Sequence, residues 1–289
     1  MPAQKRRTEP MRTILVVASE TLTGGPLLER ARAEAADGDL RVVLCVPRRT
    51  TTHGNFTYVD NVYEAAQVRV DLARGVLREI GIDCIGEVGD PDPYSATMDA
   101  VAEYDPELIL ISTLPEGESG WLADGVVDRV SNATEVPVEH IVTEQSAGSP
   151  FDLTLVVANR TTNSDALIDE LQKLASSEPA GRERLFIFLV PIEGGDDLAA
   201  RRARARLTQV VDRAKAQGMP AAGLIGDPDP YTATMNALAF FDVDDIVIST
   251  YSATRSGWLR ADLIERVKKS SGLSVDHIVA EPASARSGA

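Results

Sequence analysis

The hexapeptide Gly-Asp-Pro-Asp-Pro-Tyr occurs twice in this chain, at 89–94 and again at 226–231. Other matches follow each copy in the same order: Ala-Thr-Met, Ile-Ser-Thr, Ser-Gly-Trp-Leu and His-Ile-Val. Gly89 and Gly226, Trp121 and Trp258, and His140 and His277 are all 137 residues apart. A constant offset over so long a span means two copies of one unit without insertion, and a unit of that length can bury its own core. Whatever architecture one half adopts, the other must adopt as well.

Within each half, short apolar, β-branched runs alternate with amphipathic stretches. The first half has runs at 13–18, 41–46, 84–88, 108–112 and 136–142, and the second at 153–158, 185–190, 222–225, 245–249 and 274–279. Continuous apolar runs of this length suit strands buried on both faces, and their alternation with helices predicts parallel sheets with right-handed crossovers. Long helices are expected over 61–80 and 198–217, closed by Gly81 and Gly218 in the left-handed conformation. In the repeated hexapeptide, Asp92 and Asp229 suit the N-cap of the next helix, and Pro93 and Pro230 its first turn. The glycine is expected to permit a sharp strand exit. Helices are then expected from Tyr94 and Tyr231, and again from near Trp121 and Trp258, with each tryptophan packed over the sheet edge.

Charge and residue type exclude several functions. A net charge of −15 opposes binding to nucleic acid or an anionic membrane, and the basic Lys5-Arg6-Arg7 stretch does not reverse it. No apolar run is long enough to span a bilayer, so a cytoplasmic location is expected. Cys45 and Cys84 lack metal-ligand spacing and read as buried reduced thiols. His140 and His277 sit in strand runs with no partner ligand nearby in sequence, and the paired aspartates of the hexapeptide read as a capping turn, so no metal is expected. No nucleophile elbow, phosphate-loop, zinc-protease or dinucleotide fingerprint occurs, which points to a binder and not an enzyme. The segment 48–60, rich in threonine and aromatic residues, has a much shorter counterpart in the second half and reads as a surface loop.

The order of elements, the turn after the third strand, the Ile-Ser-Thr strand entering a polar loop and the Ser-Gly-Trp-Leu segment resemble the universal stress protein family, in particular a divergent tandem branch familiar from actinobacteria. The resemblance implies two tandem flavodoxin-like (Rossmann-like) doubly wound α/β domains. Each has a five-stranded parallel sheet of order 3-2-1-4-5, with any ligand at the switch point between strands one and four. The expected organisation is a tail at 1–11, a first domain at 12–143, a linker at 144–150, a second domain at 151–280 and a tail at 281–289. It also implies pairing through the fifth strands, here between the two halves of one chain, with a homodimer as a further expectation.

Nucleotide-binding members of that family carry a glycine-rich phosphate loop after strand four and an Asp at the end of strand one. The loop here keeps its length but presents Ser112, Pro115 and Gly125 in one copy and Ser249, Ser252 and Asp262 in the other, while Ser19 and Asn159 replace the Asp. The copies differ in charge at the same expected crevice, where Glu20, Glu118 and Ala123 of the first half align with Arg160, Arg255 and Arg260 of the second. Arginine offers forked donors that suit phosphate. A phosphorylated ligand, with ATP or AMP as the nucleotides the resemblance implies, is therefore expected only in the second half. Its expected contacts are Asn159, Arg160 and Thr161 after the first strand, Gly226 and Asp227 in the turn, and Ser249, Thr250, Ser252, Arg255, Ser256 and Gly257 after the fourth. The chain then reads as a non-catalytic stress-response sensor. Its alternative is an assembly scaffold whose pockets are filled by its own side chains.

Overall fold

The computed structural model describes residues 11–48, 59–144, 149–194, 196–252 and 262–280, with the backbone alone over 59–61. The chain divides into two compact units, Met1–Ser149 and Pro150–Ala289. The first contains β1 (Arg12–Val17), α1 (Gly25–Ala36), β2 (Leu40–Pro47), α2 (Val59–Glu79), β3 (Asp83–Gly89), α3 (Pro93–Tyr104), β4 (Leu108–Thr113), α4 (Gly120–Ala123), α5 (Val126–Ala133) and β5 (Val138–Val142). The second contains β6 (Phe151–Val157), α6 (Asp165–Ser176), β7 (Glu183–Pro191), α7 (Asp197–Ala216), β8 (Ala221–Gly226), α8 (Pro230–Phe240), β9 (Asp245–Tyr251), α9 (Leu263–Ser271) and β10 (Ser274–Ala280). The 48–60 loop falls almost wholly outside the described residues, as do Arg255, Ser256, Gly257, Trp258 and Arg260.

Each unit forms one five-stranded sheet, ordered β3-β2-β1-β4-β5 in the first and β8-β7-β6-β9-β10 in the second. Every ladder is parallel, with Val17 opposite Cys45 and Ile111 in one sheet and Val157 opposite Leu189 and Ile248 in the other. The parallel ladders are those expected from the alternation of runs, and the strand order is the doubly wound, flavodoxin-like one that the resemblance implies. The central strands are buried on both faces, which is why their sequences run apolar without alternation: Ile14, Leu15 and Val17 are completely buried, as are Leu155, Val156 and Val157. Burying each such side chain contributes about 1.5–3 kcal/mol.

The repeated turn is built as the capping reading expects. Asp92 accepts hydrogen bonds from the backbone N–H of Ser95 (3.2 Å) and from its hydroxyl (2.8 Å), and Asp229 does the same for Thr232. Asp90 and Asp227 lock the turn itself, each accepting from the amide two residues on.

One expectation gains its physical reason and another needs correction. Gly89 and Gly226 do not have positive φ. What requires them is proximity, since a Cβ on Gly89 would lie 2.7 Å from Ala96 Cβ and one on Gly226 2.8 Å from Ala233 Cβ. The helix expected from Trp121 is broken in two: Trp121 lies on the four-residue α4, and α5 begins only after Gly125, at φ 62°. In the second unit α9 begins after Asp262, which takes a left-handed φ of 49° without being glycine.

The tyrosine of the hexapeptide has a partner in both copies. The Arg129 guanidinium of α5 lies 4.4 Å from the centre of the Tyr94 ring and 3.8 Å from Asp92. In the second unit Arg266 lies 4.1 Å from the Tyr231 ring. The motif thus ties the helix that follows it to the helix that follows the fourth strand.

Candidate functional site

A doubly wound sheet opens a crevice where consecutive connections leave in opposite directions, at the carboxyl ends of its first and fourth strands. In the first unit that crevice is an open cavity of about 390 Å³. Ser19, Glu20 and Thr21 line it from the end of β1, Ser112, Thr113 and Leu114 from the end of β4, and Pro91 and Pro93 from the repeated turn. Glu118, Trp121 and Asp124 close the far side, and Pro47 and Arg48 enter from the end of β2.

The floor is set by hydroxyl groups. Thr21 donates to the carbonyl of Ser112 (3.1 Å), stitching the loop after β1 to the end of β4. The Ser112 hydroxyl meets Thr143 Oγ1 at 3.2 Å, and Thr113 donates to the Leu114 carbonyl (2.8 Å). Thr113 Oγ1 also lies 2.9 Å from His140 Nε2. Because that hydroxyl proton is already committed, the histidine must donate, which fixes a proton on Nε2. Ser19 Oγ is buried and has no partner among the described residues. Arg48 is held by the Gly89 carbonyl at 3.2 Å.

The second unit repeats this floor with telling differences. Thr161 donates to the Ser249 carbonyl (3.1 Å), Thr250 donates to the Tyr251 carbonyl (2.9 Å), and His277 Nε2 lies 2.8 Å from Thr250 Oγ1. Burial holds the His277 imidazole below its usual range, which favours the neutral ring. Ser249, only 1% exposed, has a hydroxyl without a partner among the described residues. The reason lies in the repeat: Thr143, which serves Ser112, aligns with Ala280. A matching exchange lies opposite. Gly24 caps α1, and a Cβ there would fall 2.3 Å from Thr143 Cγ2, whereas its counterpart capping α6 is Ser164.

Most of the residues expected to meet a phosphorylated ligand are engaged internally. Asn159 donates to the Pro191 carbonyl (3.0 Å) and accepts from Arg206 of α7. Arg160 makes a two-pronged pair with Glu193 at 2.8 and 3.0 Å. Arg206 also approaches Glu193 at 3.7 Å. Gly226 lies against Ala233, Asp227 is bonded within the turn, and Ser252 is exposed at the end of β9. Asn159, Arg160, Thr161, Ser249 and Thr250 therefore do converge at the carboxyl end of the second sheet. Arg255, Ser256 and Gly257 lie outside the described residues.

Arg206, Glu193 and Thr143 escaped the sequence reading. Arg206 sits on a helix crowded with arginines, and nothing local distinguishes it from Arg201, Arg202 and Arg204. The Gly24/Thr143 and Ser164/Ala280 exchange was available from aligning the repeats. Among the described residues no group of three or more His, Cys, Asp or Glu is placed to hold a metal ion. No described helix is long and apolar enough to cross a membrane.

No family model matches the chain, and no curated protein matches it. Among solved structures it is similar to a universal stress protein from Archaeoglobus fulgidus, at 17% identity over 94% of this chain and 97% of that one, with a TM-score of 0.36. It is also similar to a universal stress protein family protein from Arabidopsis thaliana with AMP bound, at 13% identity over 47% of this chain and 93% of that one, with a TM-score of 0.33. The doubly wound assignment itself rests on the chain's own strand order.

Proposed function

We propose that the chain is a tandem stress-response protein of the universal stress protein type, acting as a non-catalytic sensor of a small phosphorylated ligand or nucleotide through its second unit. The observation that carries this reading is the Ser249 hydroxyl, buried at the switch point without a partner among the described residues and next to the Thr161 loop. A buried hydroxyl left unbonded costs about 1–3 kcal/mol, and a ligand group that bonds to it recovers that cost. Arg160, in the loop after β6, and Arg206, midway along α7, both approach Glu193, so an incoming phosphate competes with that one carboxylate for two guanidinium groups.

A second reading is favoured by the same pair seen from the other side. Because Glu193 already occupies Arg160 and Arg206 already holds Asn159, the pocket is partly filled from within. In that case the chain is an assembly scaffold acting through pairing of its units or of two chains. Calorimetric titration of the whole protein with ATP, AMP and inorganic phosphate, repeated on Arg255→Ala and Glu193→Gln, separates the two. A sensor binds one ligand per chain, more weakly in the first variant and more tightly in the second. Absence of heat from every ligand in wild type and in Glu193→Gln favours the scaffold.

A further inference from the structure

We propose that the first unit's crevice is a binding site for a small organic cation, a molecule carrying ammonium or guanidinium groups, and that it rejects nucleotides. This reading does not depend on the second unit's ligand. Among the described residues, the cavity of about 390 Å³ is bordered by the carboxylates of Glu118 and Asp124, by Glu20, which has a partner of its own, and by the cation Arg48. Arg48 is turned to the Gly89 carbonyl. The local field is negative, so a polyphosphate entering here meets repulsion on the side where a phosphate loop would have to supply donors. The loop also carries Pro115, which has no amide hydrogen to offer.

Three features make this a built site and not merely an acidic surface. First, the cavity is lined by Trp121, which packs on the first unit's core with its remaining surface toward the opening. An indole face beside carboxylates is the pairing that attracts ammonium and guanidinium groups. Second, Ser19 Oγ at the end of β1 is buried, unpartnered and part of the lining, so an N–H donor from a ligand satisfies it. Third, the repeat supplies an internal comparison. On the same scaffold Glu20, Glu118 and Asp124 align with Arg160, Arg255 and Ala261. The frame is retained while the charge at the crevice is inverted.

A metal ion is the wrong occupant. No set of three metal-ligating side chains converges among the described residues. A cavity of this volume with an aromatic wall suits an organic molecule instead.

The test uses the whole protein in a Trp258→Phe background, so that fluorescence reports Trp121 alone. Spermidine, arginine methyl ester and ATP are titrated separately at low salt. The expected result is a saturable change with spermidine or the arginine ester at one site per chain, and none with ATP. In Glu118→Gln/Asp124→Asn, both exposed positions, affinity falls about tenfold or more. Trp121→Phe, followed by calorimetry, weakens the same binding. Equal affinity in the double variant overturns the proposal, because it assigns the effect to the overall charge. So does the lack of a saturable response to either cation, or an ATP response at Trp121.

Discussion

Gly24 and Thr143 form a size-matched pair whose counterparts, Ser164 and Ala280, have exchanged bulk, and this makes a quantitative prediction. A side chain at Gly24 places Cβ 2.3 Å from Thr143 Cγ2 and 3.1 Å from Thr143 Oγ1. Rotating Thr143 to relieve the first contact moves its hydroxyl away from Ser112, so the strain cannot be released without losing the 3.2 Å bond. Gly24→Ser should therefore destabilise the first unit by about 1–3 kcal/mol, the usual cost of overpacking. Thr143→Ala should cost about 1–2 kcal/mol, because it leaves the Ser112 hydroxyl as unbonded as that of Ser249. In the Thr143→Ala background the severe contact is gone, leaving the Thr21 carbonyl oxygen at 3.0 Å, and φ at position 24 is an ordinary −67°. There Gly24→Ser should be neutral, or stabilising by a few tenths up to about 1 kcal/mol, as the unfolded chain loses freedom. The sign of one substitution thus reverses with the other. The assay is a double-mutant cycle by urea unfolding, followed through Trp121 fluorescence in a Trp258→Phe background. Additivity within about 0.5 kcal/mol would show that the two residues do not share space, and the argument from the repeat would fail.

Other consequences are open to direct measurement. Replacing Asp92 or Asp229 by alanine removes both the cap and its hydroxyl bond, and each should lower stability by about 0.5–2 kcal/mol in chemical denaturation of its own unit. Gly89→Ala and Gly226→Ala should each cost about 1–3 kcal/mol, although neither position needs positive φ; a neutral result in both would mean α3 and α8 shift freely. Burial pushes the thiols of Cys45 and Cys84 up to about 12, so neither should react with a disulfide reagent at pH 8 in the native protein, and both should react in urea. Burial of Glu34 opposes its ionisation, but hydrogen bonds from Arg12 (2.5 Å) and Arg30 (2.6 Å) outweigh it and hold the carboxyl below its usual range. Its contribution is therefore present above the unfolded value near pH 4 and lost as pH falls through the lower folded value. The stability gap between wild type and Glu34→Gln should accordingly close as the pH is lowered below about 4, and a gap that persists would assign the effect to packing.

Much of the fold was legible because its signals are local and occur twice. The apolar runs have the length of two-face-buried strands, and Gly81 and Gly218 close their helices with φ of 80° and 74° as expected. The left-handed residues before α5 and α9 were not legible. Gly125 alone suggests a left-handed residue, but Asp262 in the same conformation carries no such mark. For the site, sequence reasoning found the converging strand ends and the charge difference between copies. It missed which cations were already engaged, because pairing across 33 residues, from Arg160 to Glu193, or across 47, from Arg206 to Asn159, follows from sheet order and helix rotation. The close packing at the Gly of the hexapeptide was hidden for a related reason, since the atom that excludes a side chain there belongs to the next helix.

The clasp between Tyr94, Asp92 and Arg129 has a bearing on how the crevice handles whatever enters it. The turn at Pro91 and Pro93 forms one bank of the opening, and the segment leading into α5 forms the other. A guanidinium that grips one bank while belonging to the other sets the gauge of the mouth before any guest arrives. Affinity then depends little on closure and much on the lining chemistry, which single substitutions can rewrite. A crevice framed in this way can change its tenant while its doorframe stays the same, and the identical hexapeptides of the two halves, beside residues of opposed charge, show how a sequence would do so.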